Sequence, residues 1–319
     1  MRLFFLTATR VGDAVLSSGL LGHLLDRHPG ARVTLAVGRP AAPLFQHLPG
    51  LERLIVVHKR RRGGHWLQLW RDAATTRWDL AVDLRASALT RLLWARRRLI
   101  AGRADESLHR VVELGRLAGL ETPPAPRLWL GDEDRKAAGQ LLDGRQDFLA
   151  VGPTANWLGK QWPAERFAAV AAALTAPGAP LAGRPVVVFG AASERAMAQP
   201  LLDAALPGGV VDLVGRTELL SAGAALERAA LFLGNDSGLM HMAAAAGVPT
   251  LGLFGPTSDL RYAPWGRQAR ALRTPESLAE LRARPDYRID TDRSYMTGLS
   301  VGRVIEAARD LLAGQGSDR

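Results

Sequence analysis

Short apolar runs recur along the first hundred residues, at 2–6 (RLFFL), 32–37 (RVTLAV), 53–57 (RLIVV) and 79–83 (DLAVD). Each is rich in β-branched or aromatic residues and bounded by turn formers, which predicts strands. Between them, 14–27, 40–47, 64–76, 86–96 and 106–119 carry helical spacing, and RRLIA at 97–101 reads as one more short strand. A Pro-Gly pair at 29–30 marks the first return turn. The second half repeats the scheme. Strands are predicted at 149–153, 184–190, 210–215, 231–236 and 250–255, with helices at 163–175, 193–205, 219–229 and 237–247. Pro163 suits a first helical position, Pro200 interrupts a helix, and Gly247 ends one. Strictly alternating elements predict an α/β fold of two doubly wound parallel sheets with helices on both faces. The proline-rich stretch 122–148 divides them, giving domains 1–145 and 146–299. A closing helix at 300–313, opened by Ser300, heads a tail 300–319. The pattern leaves open whether it returns to the first domain.

A length of 319 residues agrees with two domains. The absence of cysteine excludes disulfides, thiolate zinc sites and cysteine nucleophiles, and it fits a reducing compartment. The apolar start stops at Thr7, too soon for a signal peptide, and no run reaches the ~18–20 residues of a membrane span. A cytoplasmic protein is therefore expected. The net charge of +10 changes the picture because it is lopsided. Residues 1–110 hold nineteen Lys/Arg against eight Asp/Glu, whereas the remainder is almost balanced. A basic first domain beside a neutral second one predicts an anionic partner for the first.

Candidate chemistry gathers where predicted strands end. In GNDSGLMHMAAAAGVPTLGLFGPTSD (234–259), Asp236 and Ser237 stand at a helix start. Ser237 and Gly238 would turn backbone N–H groups toward an anion, and His241 follows one turn later. Each residue alone is an ordinary cap or a structural histidine; the run together is specific, because it sits at a strand's carboxyl end. GPTANWLGKQWP (152–163) likewise joins strand to helix and offers Thr154, Asn156 and Lys160. Lys160 is one of three lysines against 38 arginines, a choice that suits a compact charge on a diphosphate oxygen. Lys59 and Arg60, Arg61 and Arg62 follow a first-half strand directly and read as an anion site with bidentate ligands. The run 96–98 reads as plain surface, and Trp66, Trp70 and Trp78 as helix packing. Asp13, directly after Gly12, reads as the cap of a helix beginning at Ala14 or as a general base.

These motifs resemble glycosyltransferase family 9, the ADP-heptose:lipopolysaccharide heptosyltransferases. The likeness rests on RVGDAVLSSGLLGHL near the start, the Lys-Gln-Trp-Pro of 160–163, the run from Gly234 to Thr257, and SYMTGLSVGRVIEAA at 294–308. It implies a GT-B fold of two Rossmann-like domains facing a cleft. It implies a donor site for ADP-L-glycero-D-manno-heptose in the second domain and an acceptor site for the phosphorylated lipopolysaccharide core in the first. It further implies inverting transfer with neither cofactor nor bound metal, Asp13 as base, Gly12 on the acceptor side, and Lys160, Asp236, Ser237, Gly238 and His241 on the donor. Glu194, ending a glycine-rich turn, falls on the ribose, and Thr217 falls beside the base. Thr7 departs from the arginine that relatives often carry there. A lipid acceptor implies peripheral contact with the inner membrane, although no dedicated amphipathic anchor stands out.

Three other readings compete. The same fold serves other nucleotide-sugars and glycan acceptors. A non-catalytic nucleotide-sugar, anion or nucleic-acid binder would also use a basic domain, but no nucleic-acid module is visible. A dinucleotide dehydrogenase would need GxGxxG, which neither TRVGDA (9–14) nor GPTANW (152–157) matches.

Overall fold

A computed structural model describes residues 1–58 and 63–314. The chain divides into two compact units, Met1–Trp129 and Leu130–Arg319. The expected acceptor ligands Arg60, Arg61 and Arg62 lie outside the described residues.

In the first unit, β1 (Arg2–Leu6), β2 (Arg32–Gly38), β3 (Leu51–Val57), β4 (Trp78–Asp83) and β5 (Ala95–Ile100) form one parallel sheet. Its order is β3-β2-β1-β4-β5. The chain winds outward from β1 to β3, then crosses back to β4 on the other side of β1. The carboxyl ends of β1 and β4 therefore flank the sheet's topological switch point, the usual ligand crevice of such sheets. Helix α1 (Val11–Arg27) follows β1, α2 (Gly64–Ala74) precedes β4, and α3 (Arg110–Leu117) closes the unit. Helix α1 is buried along most of its length because its small residues admit a second chain segment. A Cβ on Gly19 would lie 2.3 Å from the Pro124 carbonyl oxygen. Ser18 Oγ accepts the Arg127 backbone N–H at 2.8 Å, holding that segment in place.

The second unit opens with α4 (Asp132–Leu142), which packs on α7 (Leu219–Leu226). The division thus falls ahead of the expected 145/146: a helix read as part of the linker belongs to the core of the unit that follows. The strands β6 (Phe148–Gly152), β7 (Val186–Val188), β8 (Val210–Asp212), β9 (Ala229–Asn235), β10 (Thr250–Phe254) and β11 (Ala269–Arg273) pair in parallel in the order β11-β10-β9-β6-β7-β8. Here the switch point lies between β6 and β9, where Gly152 stands opposite Gly234. Helices α5 (Ala164–Thr175), α6 (Arg195–Leu202) and α8 (Gly238–Ala245) follow β6, β7 and β9. The short helices α9 (Asp259–Tyr262) and α10 (Leu278–Ala283) flank β11, and α11 (Val301–Ala313) comes last.

Helix α11 packs on α5, and Val304, Ala307 and Ala308 join Phe167 and Trp162 in the second unit's core. Its Ser300 cap is formed, with the side chain accepting the Arg303 N–H. Trp162 ties three segments together. Its N–H reaches Asn235 Oδ1 at 2.9 Å, its indole N–H reaches the Leu299 carbonyl at 3.0 Å, and its ring meets Phe167 edge-on. Trp162→Ala is expected to lower unfolding free energy by ~3–5 kcal/mol, a cavity-forming loss checked by urea denaturation.

Two local expectations are corrected. Residues 86–96 form no α-helix: a 3-10 turn, Ala88–Leu92, leads straight into β5, which starts earlier than expected. Trp70 is exposed rather than packed, whereas Trp78, at the start of β4, is buried against α2 as expected, its indole N–H donating to the Ala73 carbonyl at 2.9 Å.

Candidate active site

The second switch point collects most of the expected donor residues. Strand β9 ends in Asn235, so Asp236 and Ser237 stand above the sheet before α8 begins. Strand β6 ends in Gly152 and leads through 153–157 into a 3-10 turn, Leu158–Lys160. Because β6 and β9 are neighbours, the two loops meet. Lys160 Nζ lies 3.3 Å from Asp236 Oδ2, with both side chains largely buried. His241, one turn into α8, brings Nε2 to 4.0 Å from Asp236 Oδ1. Ser237 is the N-cap of α8 by its extended backbone, yet its side chain makes no capping bond. Its Oγ is buried without a hydrogen-bond partner among the described residues, and so is that of Thr257 in the Gly255–Thr257 turn after β10. Buried hydroxyls are normally hydrogen-bonded, so these two suit a polar ligand at the same edge.

On the other flank, β7 delivers Glu194. Its Oε2 accepts from Thr154 Oγ1 at 2.7 Å and from the Ala191 N–H at 3.0 Å. Thr154 and Glu194 are thus brought together. Asn156 is exposed, and Thr217 stands half-buried in the loop after β8. Beside it Asp212 pairs with Arg195 and Arg216. Burial opposes ionisation of Asp212, but the hydrogen bonds from Arg195 and Val214 and the Arg216 charge outweigh it, so its pKa is lowered.

Three residues that sequence reasoning passed over hold this edge in shape. Asn235 is fully buried, its amide donating to the Pro153 carbonyl at 2.7 Å while its oxygen takes the Trp162 N–H. It thereby fixes the Lys160 loop against β9; its place inside the GNDSG run was the available signal. Arg273, at the end of β11, donates to the carbonyls of Gly255 and Thr257 and clamps that turn. The backbone N–H of Tyr295 donates to the Gly159 carbonyl at 2.9 Å, pinning the Lys160 turn from the closing segment.

In the first unit, Asp13 is not an N-cap. Helix α1 starts at Val11 with Arg10 as its cap, which puts Gly12 and Asp13 inside the first turn. The change of place keeps Asp13 at the switch point after β1, half-buried, where a carboxylate also complements the helix dipole. Thr7, where an arginine was looked for, is fully buried and bonds Ser17 Oγ at 2.7 Å, fastening β1 to α1. Across the switch, Asp83 is fully buried and spent structurally. It accepts from the backbones of Arg85 and Ser87 and from the hydroxyls of Ser87 and Thr90. Of the two carboxylates at this edge, Asp13 is the one open to solvent. Among the described residues no group of three or more His, Asp or Glu gathers as for a metal ion.

The sequence profile of glycosyltransferase family 9 (heptosyltransferase) matches residues 73–287, about two thirds of the chain. The protein belongs to glycosyltransferase family 9. It is a glycosyltransferase. The matched stretch contains Lys160, Glu194, Asp236 and His241; Asp13 lies before it. The chain is also similar to lipopolysaccharide heptosyltransferase 2 of Salmonella typhimurium, at 25% identity over 99% of this chain and all of that protein. It is 24% identical to lipopolysaccharide heptosyltransferase 3 of Escherichia coli, over 94% of this chain and 96% of that one. Among solved structures, a family 9 glycosyltransferase of Veillonella parvula superposes with a TM-score of 0.79 at 24% identity, covering 98% and 97% of the two chains. E. coli ADP-heptose lipopolysaccharide heptosyltransferase II gives 0.76 at 22% identity, covering 99% and 100%. These likenesses establish the fold class, GT-B, with two Rossmann-like units in one family 9 chain.

Proposed function

We propose that this family 9 enzyme moves a heptose from ADP-L-glycero-D-manno-heptose to the inner core of lipopolysaccharide with inversion at the anomeric carbon. The observation that carries the reading is the set Lys160, Asp236, Ser237 and His241 at the β6/β9 switch point, with Thr154 and Glu194 beside it. A nucleoside diphosphate meets there a lysine, the N-terminus of α8 and two unspent hydroxyls, while Glu194 offers an acceptor for ribose hydroxyls. An E. coli relative of the same fold was solved with ADP and with ADP-2-deoxy-2-fluoro heptose, which supports the choice of donor.

The chemistry is one displacement. Asp13 takes the proton of an acceptor hydroxyl as its oxygen bonds to the anomeric carbon. The bond from that carbon to the β-phosphate oxygen breaks, and ADP departs with the electron pair. Lys160 and the N–H groups at Ser237–Gly238 stabilise the growing phosphate charge. No cofactor enters this step, and no metal is assigned a part in it. The basic first unit suits an acceptor carrying phosphate and acidic sugars.

The test is transfer by purified protein to a truncated core acceptor. Turnover is expected with ADP-heptose, and ADP is expected to compete far better than UDP or GDP. Turnover with a UDP- or GDP-sugar alone would move the enzyme to another donor, and none with any nucleotide-sugar would end the reading.

A further inference from the structure

One face of the first unit carries features that glycosyl transfer leaves unused. Helix α2 and the 3-10 turn Ala88–Leu92 pack together as one layer over the sheet. Their inner residues Leu69, Ala73, Leu89 and Leu93 join the core with Phe4 and Trp78. Their outer residues include four large apolar side chains in solvent: Leu67 (53% exposed), Trp70 (37%), Leu92 (71%) and Trp94 (68%).

Leu67 and Trp70 share one flank of α2, and Leu92 and Trp94 stand in the segment packed beside it. Helix α2 turns ~100° per residue. Its flank bearing Gln68 and Asp72 leans toward β3, where Arg53 pairs with Asp72 at 2.9 Å. Trp66 leans the other way, under the Arg85 guanidinium beyond β4. Leu67 and Trp70 then project outward on the side of the 3-10 turn. That turn is pinned: Arg98 donates to the carbonyls of Thr90, Leu93 and Ala95. A loop held this firmly still directs Leu92 and Trp94 into solvent. Arginines frame the apolar patch, with Arg71, Arg77 and Arg91 all exposed and the Arg77 guanidinium 4.6 Å over the Trp94 ring.

We propose that this face docks the enzyme on an anionic lipid bilayer. Tryptophan and leucine enter the boundary between headgroups and acyl chains, and the surrounding arginines meet lipid phosphates. Charge decides against a second copy of the chain as occupant. A two-fold contact would set Arg71, Arg77 and Arg91 near their own images, whereas anionic lipid neutralises them. The excess of nineteen basic over eight acidic residues within 1–110 acts in the same direction. The proposal extends the reading of a lipid-borne acceptor. Its test uses neither donor nor acceptor, so failure here leaves the transfer result untouched.

The full-length protein is floated with vesicles of phosphatidylethanolamine and phosphatidylglycerol, and with vesicles of phosphatidylcholine, at low salt. Flotation is expected with the anionic vesicles only. Replacing Leu92 and Trp94 by Ser, or Arg71, Arg77 and Arg91 by Gln, should reduce the bound fraction at least about tenfold. Both variants should keep transfer to a lipid-free acceptor. Quenching of wild-type fluorescence by brominated phosphatidylglycerol, weakened in Trp70→Phe and Trp94→Phe, places the rings in the bilayer without disturbing the fold. No flotation, equal flotation of the variants, or equal binding to phosphatidylcholine overturns the proposal. A dimer in sedimentation velocity that Leu92→Ser with Trp94→Ser dissolves, without vesicle binding, assigns the face to a second copy and overturns it too.

Discussion

Asp13→Asn is expected to lower kcat by roughly 10²–10⁴-fold, the usual worth of a positioned general base. The substitution keeps the shape of the side chain and removes its capacity to take a proton. Asp13 also sits in the first turn of α1, where losing a negative charge costs about 0.3–1 kcal/mol. Folding therefore survives, and circular dichroism melts should shift only slightly. The residues proposed for the donor belong to the second unit, so KM for the ADP-sugar should hardly move. The measurement is steady-state kinetics across pH. Wild-type kcat should exceed that of the variant at every pH tested. Wild-type turnover in Asp13→Asn would remove the base assignment while leaving the donor site intact.

Lys160→Met is expected to lower kcat/KM by about 10²–10³-fold, the scale for removing one charge-stabilising donor from a transition state. Two effects coincide and can be separated. Without donor, Lys160 neutralises Asp236 at 3.3 Å, so its loss leaves a largely buried carboxylate short of a partner. Destabilisation of up to about 3 kcal/mol follows from that alone. Replacing Lys160 by Met and Asp236 by Asn together removes both charges, and thermal denaturation should show much of the stability regained. Turnover should stay low. Recovery of turnover in the double variant would reduce Lys160 to a structural partner of Asp236. Lys160→Arg should not rescue fully, because a planar fork replaces a compact ammonium in a turn closed by the Gly159–Tyr295 hydrogen bond.

Much of the fold was legible because buried parallel strands are continuous apolar runs set between amphipathic helices. What stayed hidden depended on contacts distant in sequence. The segment ASALTRLLWA (86–95) has good helix formers, yet the Trp94 carbonyl accepts the Trp78 N–H at 2.8 Å and draws the chain into β5. Strand β11, ARALR, carries two arginines in five residues, as an edge strand can, and shows no apolar run to notice. The division at 129/130 falls within the stretch 122–148, but its exact place depends on the packing of α4 on α7, which leaves no local mark. The site shows the same divide. Lys160, Asp236, Ser237 and His241 were visible as residue types at strand ends. Asn235 and Arg273 act by holding backbone carbonyls, and an ordinary amide or arginine does not announce that role.

Helix α11 sets the order of events during synthesis. The first unit has its sheet and helices complete by Trp129 and is able to fold while the rest is still being made. The second unit cannot close its core until Val304, Ala307 and Ala308 have left the ribosome and reached Phe167. Through the interval the buried faces of β9, β10 and β11 lack part of their cover. A chain ending before residue 301 would lack that cover altogether.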